Sequence, residues 1–118
     1  MINNLEKIKN KTKRDIVRNI CREIINSCDT IKKISIFGSV ARGDDNEDSD
    51  TDFYLEFTEK PIDEDYIYTD SVNEVINIIR KNLFCIGGAD VVIKDDFCNY
   101  DDKFIQNIKN EEVICYER

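Results

Sequence analysis

The sequence predicts an α/β (α+β) sandwich, a small mixed β-sheet with helices packed against it, built as one domain over residues 1–118. Three observations predict it. Apolar residues recur at helical spacing in three segments and form short strand-like runs in three others, in the order helix, strand, strand, helix, strand, helix. The length of 118 residues fits a single domain, and the 41% apolar share is enough for one modest core. No internal repeat, low-complexity segment or interdomain linker interrupts the pattern.

Each element has its own warrant. Ile16, Val17, Ile20, Cys21, Ile24, Ile25 and Cys28 fall on one helical face and predict an amphipathic helix over roughly 4–28. Ile34 to Phe37 reads as a short buried strand. A helical turn and an acidic loop follow over 40–49. Phe53, Leu55 and Phe57 alternate with Asp52, Tyr54 and Glu56, the period-2 pattern of a half-buried strand. Glu59 to Asp65, with the single proline, is a loop. Val72, Val75, Ile76, Ile79 and Leu83 mark a second long helix, Gly87-Gly88 breaks it, and Ala89 to Ile93 forms a third strand. Phe104, Ile105 and Ile108 mark a last helix, and Val113 to Tyr116 is expected as a short extended tail.

Composition excludes several functional classes. No run approaches the roughly 20 apolar residues of a membrane span, and the charged N-terminus lacks the apolar stretch of a signal peptide; a cytoplasmic protein with no membrane association is expected. The five cysteines, Cys21, Cys28, Cys85, Cys98 and Cys115, form no CxxC pair and are odd in number, so neither a zinc site nor a disulfide framework is signalled. Cys21 and Cys28 lie seven apart on one helical face, as small buried hydrophobes do. The chain has no histidine, which removes Ser-His-Asp and Cys-His nucleophile activation and HExxH zinc sites. Acid–base work therefore falls to carboxylates, Lys, Tyr or water. The net charge of −8 is uneven: nine Lys/Arg against four Asp/Glu make residues 1–33 +5, and eight against twenty-one make residues 34–118 −13. An acidic body repels a nucleic-acid backbone, so nucleic acid is not an expected partner. The basic first helix is either a solvated face or a dock for an acidic partner.

Chemistry concentrates in residues 38 to 52, GSVARGDDNEDSDTD: Gly38-Ser39, ten residues, then Asp50-Thr51-Asp52, set between two apolar runs. A glycine after a strand permits close backbone approach. Ser39 is placed to cap the following turn, whose free N–H groups form an anion site. Arg42, one turn on, is placed for a bidentate phosphate contact. Asp44, Asp45, Glu47, Asp48, Asp50 and Asp52 put six carboxylates within nine residues, and such like charges repel unless neutralised. Asp44 to Asp48 are expected to spread apart in a solvated loop. Asp50 and Asp52, two apart at a strand, share a face and can share a divalent cation. Oxygen ligands without His or Cys suit magnesium or manganese. Triphosphate on the turn and metal on the next strand make a phosphoryl- or nucleotidyl-transfer site. Two lookalikes fail. Asp44-Asp45 stand where a P-loop needs Lys-Ser/Thr. Ser49 and Leu55 stand where an EF-hand needs Gly and Glu. Ser39 as an acyl-transfer nucleophile lacks an activating His or Lys.

With these residues in place, the chain resembles the minimal nucleotidyltransferases of the DNA polymerase beta superfamily. Their signature is Gly-Ser, ten residues, Asp-x-Asp, here extended to the GSxARG form by Gly38-Ser39-Val40-Ala41-Arg42-Gly43. The resemblance implies the polymerase beta-like nucleotidyltransferase fold. It implies that Gly38, Ser39 and Arg42 hold the nucleotide phosphates, and that Asp50 and Asp52 hold magnesium. It also implies a third carboxylate on a later strand, by position Asp90, which would help bind one metal and draw the proton from the attacking hydroxyl. Larger relatives append acceptor-binding segments for which this chain has no spare length, so the acceptor is expected on another macromolecule. Such enzymes are commonly paired as antitoxins with HEPN-domain ribonuclease toxins, and transfer AMP from ATP to a toxin tyrosine. The expectation is a magnesium-dependent protein adenylyltransferase. The alternatives are a binding module that neutralises its partner by contact alone, and nucleotidyl transfer to a small molecule or an RNA end.

Overall fold

Alternation along the second strand explains how the layers form. In the computed structural model, which describes residues 1–96 and 100–118, Phe53 and Leu55 are fully buried on one face of the sheet, while Tyr54 is buried on the other. Both faces must therefore be covered. Helix α1 (Lys11–Ser27) and helix α3 (Asp70–Leu83) cover the first face, and helix α4 (Asp102–Glu111) covers the second. Between them lie strands β1 (Ile31–Phe37), β2 (Thr51–Phe57), β3 (Ala89–Ile93) and β4 (Val113–Glu117), in the spatial order β3-β2-β1-β4. β2 pairs with β3 in parallel, and β1 pairs antiparallel with both β2 and β4. The predicted small mixed sheet with flanking helices is thus observed.

The larger core joins Val17, Ile20, Cys21 and Ile24 of α1 to Ile34 and Ile36 of β1, Phe53 and Leu55 of β2, and Val75, Ile79 and Leu83 of α3. Fully burying each such side chain contributes roughly 1.5–3 kcal/mol before the entropy of ordering is counted. Cys21 and Cys28 are buried as expected, and Cys115 is buried as well. Cys85 is exposed, and Cys98 lies outside the described residues. The smaller core holds Phe37, Tyr54, Val92 and Ile108 under α4.

Two expectations are corrected here. The first helix starts at Lys11, not near residue 4. The Asn10 side chain accepts from the Lys13 N–H and caps it there. Upstream, Asn4 adopts a left-handed φ of 62°, Leu5–Lys7 form a single 3-10 turn, and Ile2 bridges to Tyr116 beside β4. Tertiary pairing to the sheet edge prevails over helical propensity. The expected tail is in fact the edge strand β4, whose Val113 and Cys115 are buried in the larger core.

Candidate active site at the glycine–serine turn

β1 runs directly into the five-residue helix α2 (Gly38–Arg42). Gly38 adopts φ +72°, and a Cβ there would lie 2.1 Å from the Asp52 Oδ2 atom. Only glycine lets the turn lie against that carboxylate, so the turn and the acid are packed into one place. Ser39 does not cap the helix as expected. It is the second residue of α2, its carbonyl accepts from the Gly43 and Asp44 N–H groups, and it lines the same cavity as Asp52.

Asp52 stands on the α4 face of β2, level with Phe37 on one side and with Asp90 of β3 on the other. In parallel strands that register puts both acids on one face. Asp50 ends the loop just before β2, two residues from Asp52, so the structure brings Asp50, Asp52 and Asp90 to one end of one sheet face. The electrostatics agree. Burial, then Asp90, then Asp50 push the Asp52 carboxyl up to about 6, against a partial offset from Arg42. Asp50 is raised by desolvation and by Asp90, against an offset from Lys13. Each holds its proton more tightly than a free aspartate, first because burial penalises its charge and then because like charges stand beside it. The donor set is all carboxylate oxygen, which fits magnesium or manganese in chemistry. As the side chains stand, no group of three or more His, Cys, Asp or Glu among the described residues is gathered closely enough to hold an ion.

The acidic loop departs from expectation. Asp45 does not project into solvent; its side chain is 4% exposed and pairs at 3.2 Å with Lys13 of α1, itself 1% exposed. The Lys13 ammonium also donates to the Asn46 and Ser49 carbonyls at 2.9 and 2.8 Å, and Asn10 donates to Asp45. One buried cation thus ties the loop to the helix and fixes the approach to Asp50. Behind the loop, Gly87 at φ +78° passes so close that a Cβ would lie 2.3 Å from the Ser49 carbonyl oxygen. Asp44 pairs with Arg42 at 3.2 Å in an exposed contact.

Arg42 is already engaged by two acids. Besides Asp44 it reaches Glu111 at the end of α4, 3.3 Å away, and both acids favour its charged form. Glu111 also accepts the Gly38 N–H at 2.9 Å. The neighbouring Glu112 turns instead to Lys33 of β1. A cavity of about 550 Å³ opens here, lined by Gly38, Ser39, Arg42, Asp52, Phe104 and Glu111 among others. Phe104 stacks edge-on against Phe37, with ring centres 6.2 Å apart.

Sequence reasoning missed Lys13 and Glu111. Lys13 had a signal: it lies four residues before Val17, on the apolar stripe of its helix. Glu111 had none, since 73 positions separate it from Gly38.

With this geometry established, the family model for "Polymerase beta, Nucleotidyltransferase" matches residues 19–118. The chain belongs to the polymerase beta nucleotidyltransferase family. Solved structures share this nucleotidyltransferase fold. A toxin–antitoxin crystal structure with AMP-PNP aligns at a TM-score of 0.60 and 14% identity, over 88% of this chain and 73% of that one. A structure of a tri-AMPylated Shewanella oneidensis HEPN toxin with its MNT antitoxin aligns at 0.56 and 12%, over 89% and 72%. No curated protein matches the sequence. Among the described residues no helix is long and apolar enough to cross a membrane.

Proposed function

We propose that this nucleotidyltransferase domain transfers AMP from ATP to a tyrosine hydroxyl of a HEPN-type toxin partner, with pyrophosphate as the leaving group, and acts as its antitoxin. The observation that carries the reading is the contact of the glycine turn with Asp52, itself in register with Asp90 and two residues from Asp50. Gly38, Ser39 and Arg42, read here as the anion-binding half, line one cavity together with the Asp52 carboxylate. The fold neighbours support the choice of partner and nucleotide, since one contains AMP-PNP and another an AMPylated HEPN toxin.

In this reading Gly38, Ser39 and Arg42 orient the polyphosphate, and Asp50, Asp52 and Asp90 are the ligands for magnesium. Bound magnesium supplies charge neutralisation at the phosphates. Asp90, on β3 beside Asp52, accepts the proton of the incoming hydroxyl. The chain has no histidine to compete for that role. The α4 face, with Phe104 partly exposed at the cavity wall, is where the acceptor and base approach.

The test is incubation with α-labelled ATP, magnesium and a HEPN-type toxin with which the chain associates. Label on the toxin, lost when its acceptor tyrosine is replaced by Phe, supports the reading. An unlabelled toxin that is nonetheless neutralised, including by the Asp50→Asn/Asp52→Asn variant, overturns it in favour of inhibition by contact.

A further inference from the structure

The groups read above as the phosphate site already hold an anion, and it belongs to the chain itself. The Gly38 N–H donates to Glu111 Oε1 at 2.9 Å, and the Arg42 guanidinium reaches the two Glu111 oxygens at 3.4 and 3.3 Å. A carboxylate with its oxygens on a backbone N–H and a guanidinium makes the contacts a phosphate group would make. Its place in the fold makes the arrangement telling. Glu111 is the last residue of α4, at the negative end of a ten-residue helix, where the dipole disfavours an acid. Its position is therefore held by its partners and not by its own helix. The side chain is 28% exposed, so it can swing into solvent without opening the core. Glu112 keeps α4 anchored through Lys33, so that release of Glu111 leaves the helix in place.

We infer that Glu111 is a built-in phosphate mimic: it occupies the polyphosphate position, and nucleotide enters only by displacing it. The inference rests on the reading of Gly38 and Arg42 as the phosphate site. The Gly38 N–H cannot serve both anions at once, because it is a single donor already bonded to Glu111. Glu111 thereby sets the affinity for nucleotide. It lowers apparent affinity by the fraction of time it is seated. It also keeps the Gly38 N–H bonded when no nucleotide is bound.

The experiment is calorimetric titration of the full chain with magnesium-ATP for the wild type, Glu111→Gln, Glu111→Ala and Glu74→Gln. Glu74→Gln removes the same charge from the exposed side of α3, on the opposite face of the sheet. The expected result is a Kd about tenfold lower for both Glu111 variants, as for a site closed about nine-tenths of the time, with Glu74→Gln unchanged. If the wild type binds and neither Glu111 variant binds more tightly, the inference falls and the phosphate-site reading stands. If Glu74→Gln tightens binding as much, overall charge is the cause and the inference falls. If none of the four binds, both fall together.

Discussion

Two acid clusters drawn from one stretch of sequence meet opposite fates. Asp45 is nearly inaccessible and is matched by the buried Lys13 ammonium, with Asn10 adding a hydrogen bond. A few residues on, Asp52 pairs with Asp90 across the parallel strands and Asp50 lies just before that strand, and both bind their protons more tightly than free aspartates. The chain had cations to place: Lys13 lies near enough to ease Asp50, yet it bonds to Asp45 and the loop carbonyls. On the proposed function, the difference separates acids that hold the fold from acids kept for a metal. An acid that holds the fold is neutralised from within, and an acid kept for an external cation is left uncompensated.

The contrast breaks most visibly at Asp52. Asp52→Asn should lower AMP transfer by about a thousandfold, equivalent to about 4 kcal/mol of barrier, while raising the melting temperature of the metal-free protein, because a like charge is removed. Single-turnover transfer and a thermal scan in EDTA measure the two effects. A less stable Asp52→Asn protein would place Asp52 among the structural acids.

Lys13 gives the opposite sign. Lys13→Met leaves Asp45 buried without its cation and two loop carbonyls without a donor. The expected cost is about 3 kcal/mol of stability in urea denaturation, the usual consequence of removing one partner of a buried pair. A loss below about 1 kcal/mol would mean that the pair behaves as a surface ion pair does.

How much of this was legible follows from what lies close in the chain. The Gly38-Ser39 turn, Asp50 and Asp52 sit within fifteen residues, so alternation and turn chemistry sufficed to put them together. The alternation of Phe53 and Leu55 with Tyr54 read as a half-buried strand, and the structure corrects it: Tyr54 is buried under α4 as well, so both faces are covered. Asp90 was reached through the family resemblance, because no local pattern states which strands become parallel neighbours. Asp45 was misjudged because its partner lies on another element, and charge alone does not reveal pairing. Glu111 and the strand β4 were out of reach for the same reason: both are defined by contacts with β1 or with the turn that follows it, more than seventy residues away.

The turn between the two clusters sharpens the comparison by geometry instead of charge. Gly38→Ala forces a Cβ into the Asp52 carboxylate and strains a left-handed backbone. It should cost about 2 kcal/mol of stability and weaken magnesium-ATP binding. Gly43→Ala, also at positive φ, meets only the flexible Lys9 side chain, so it should carry the backbone strain without the loss of nucleotide. Equal loss of binding in the two variants would mean that strain, not the contact with Asp52, is what matters.

The smallest expected effect is a pH dependence peculiar to the uncompensated cluster. The Asp52 carboxyl stands at about 6 in the folded chain, against 3.8 for a free aspartate. A raised carboxyl pKa means that the folded state takes up the proton first. Its contribution to stability is fully present below about 4 and is lost as pH rises through 6. Glu23 works in reverse: Lys81 and Asn82 lower its pKa, so its contribution is present above about 4.5 and is lost only at more acid pH. Between pH 7 and 5 the Asp52 effect therefore acts without that opposition. The metal-free protein should show a higher urea midpoint at pH 5 than Asp52→Asn predicts from its own pH 7 to pH 5 change, and the excess should vanish in saturating magnesium, which favours the charged form. If wild type and Asp52→Asn shift in parallel, the acids beside the glycine turn are already balanced by the protein, and the distinction between the two clusters is lost.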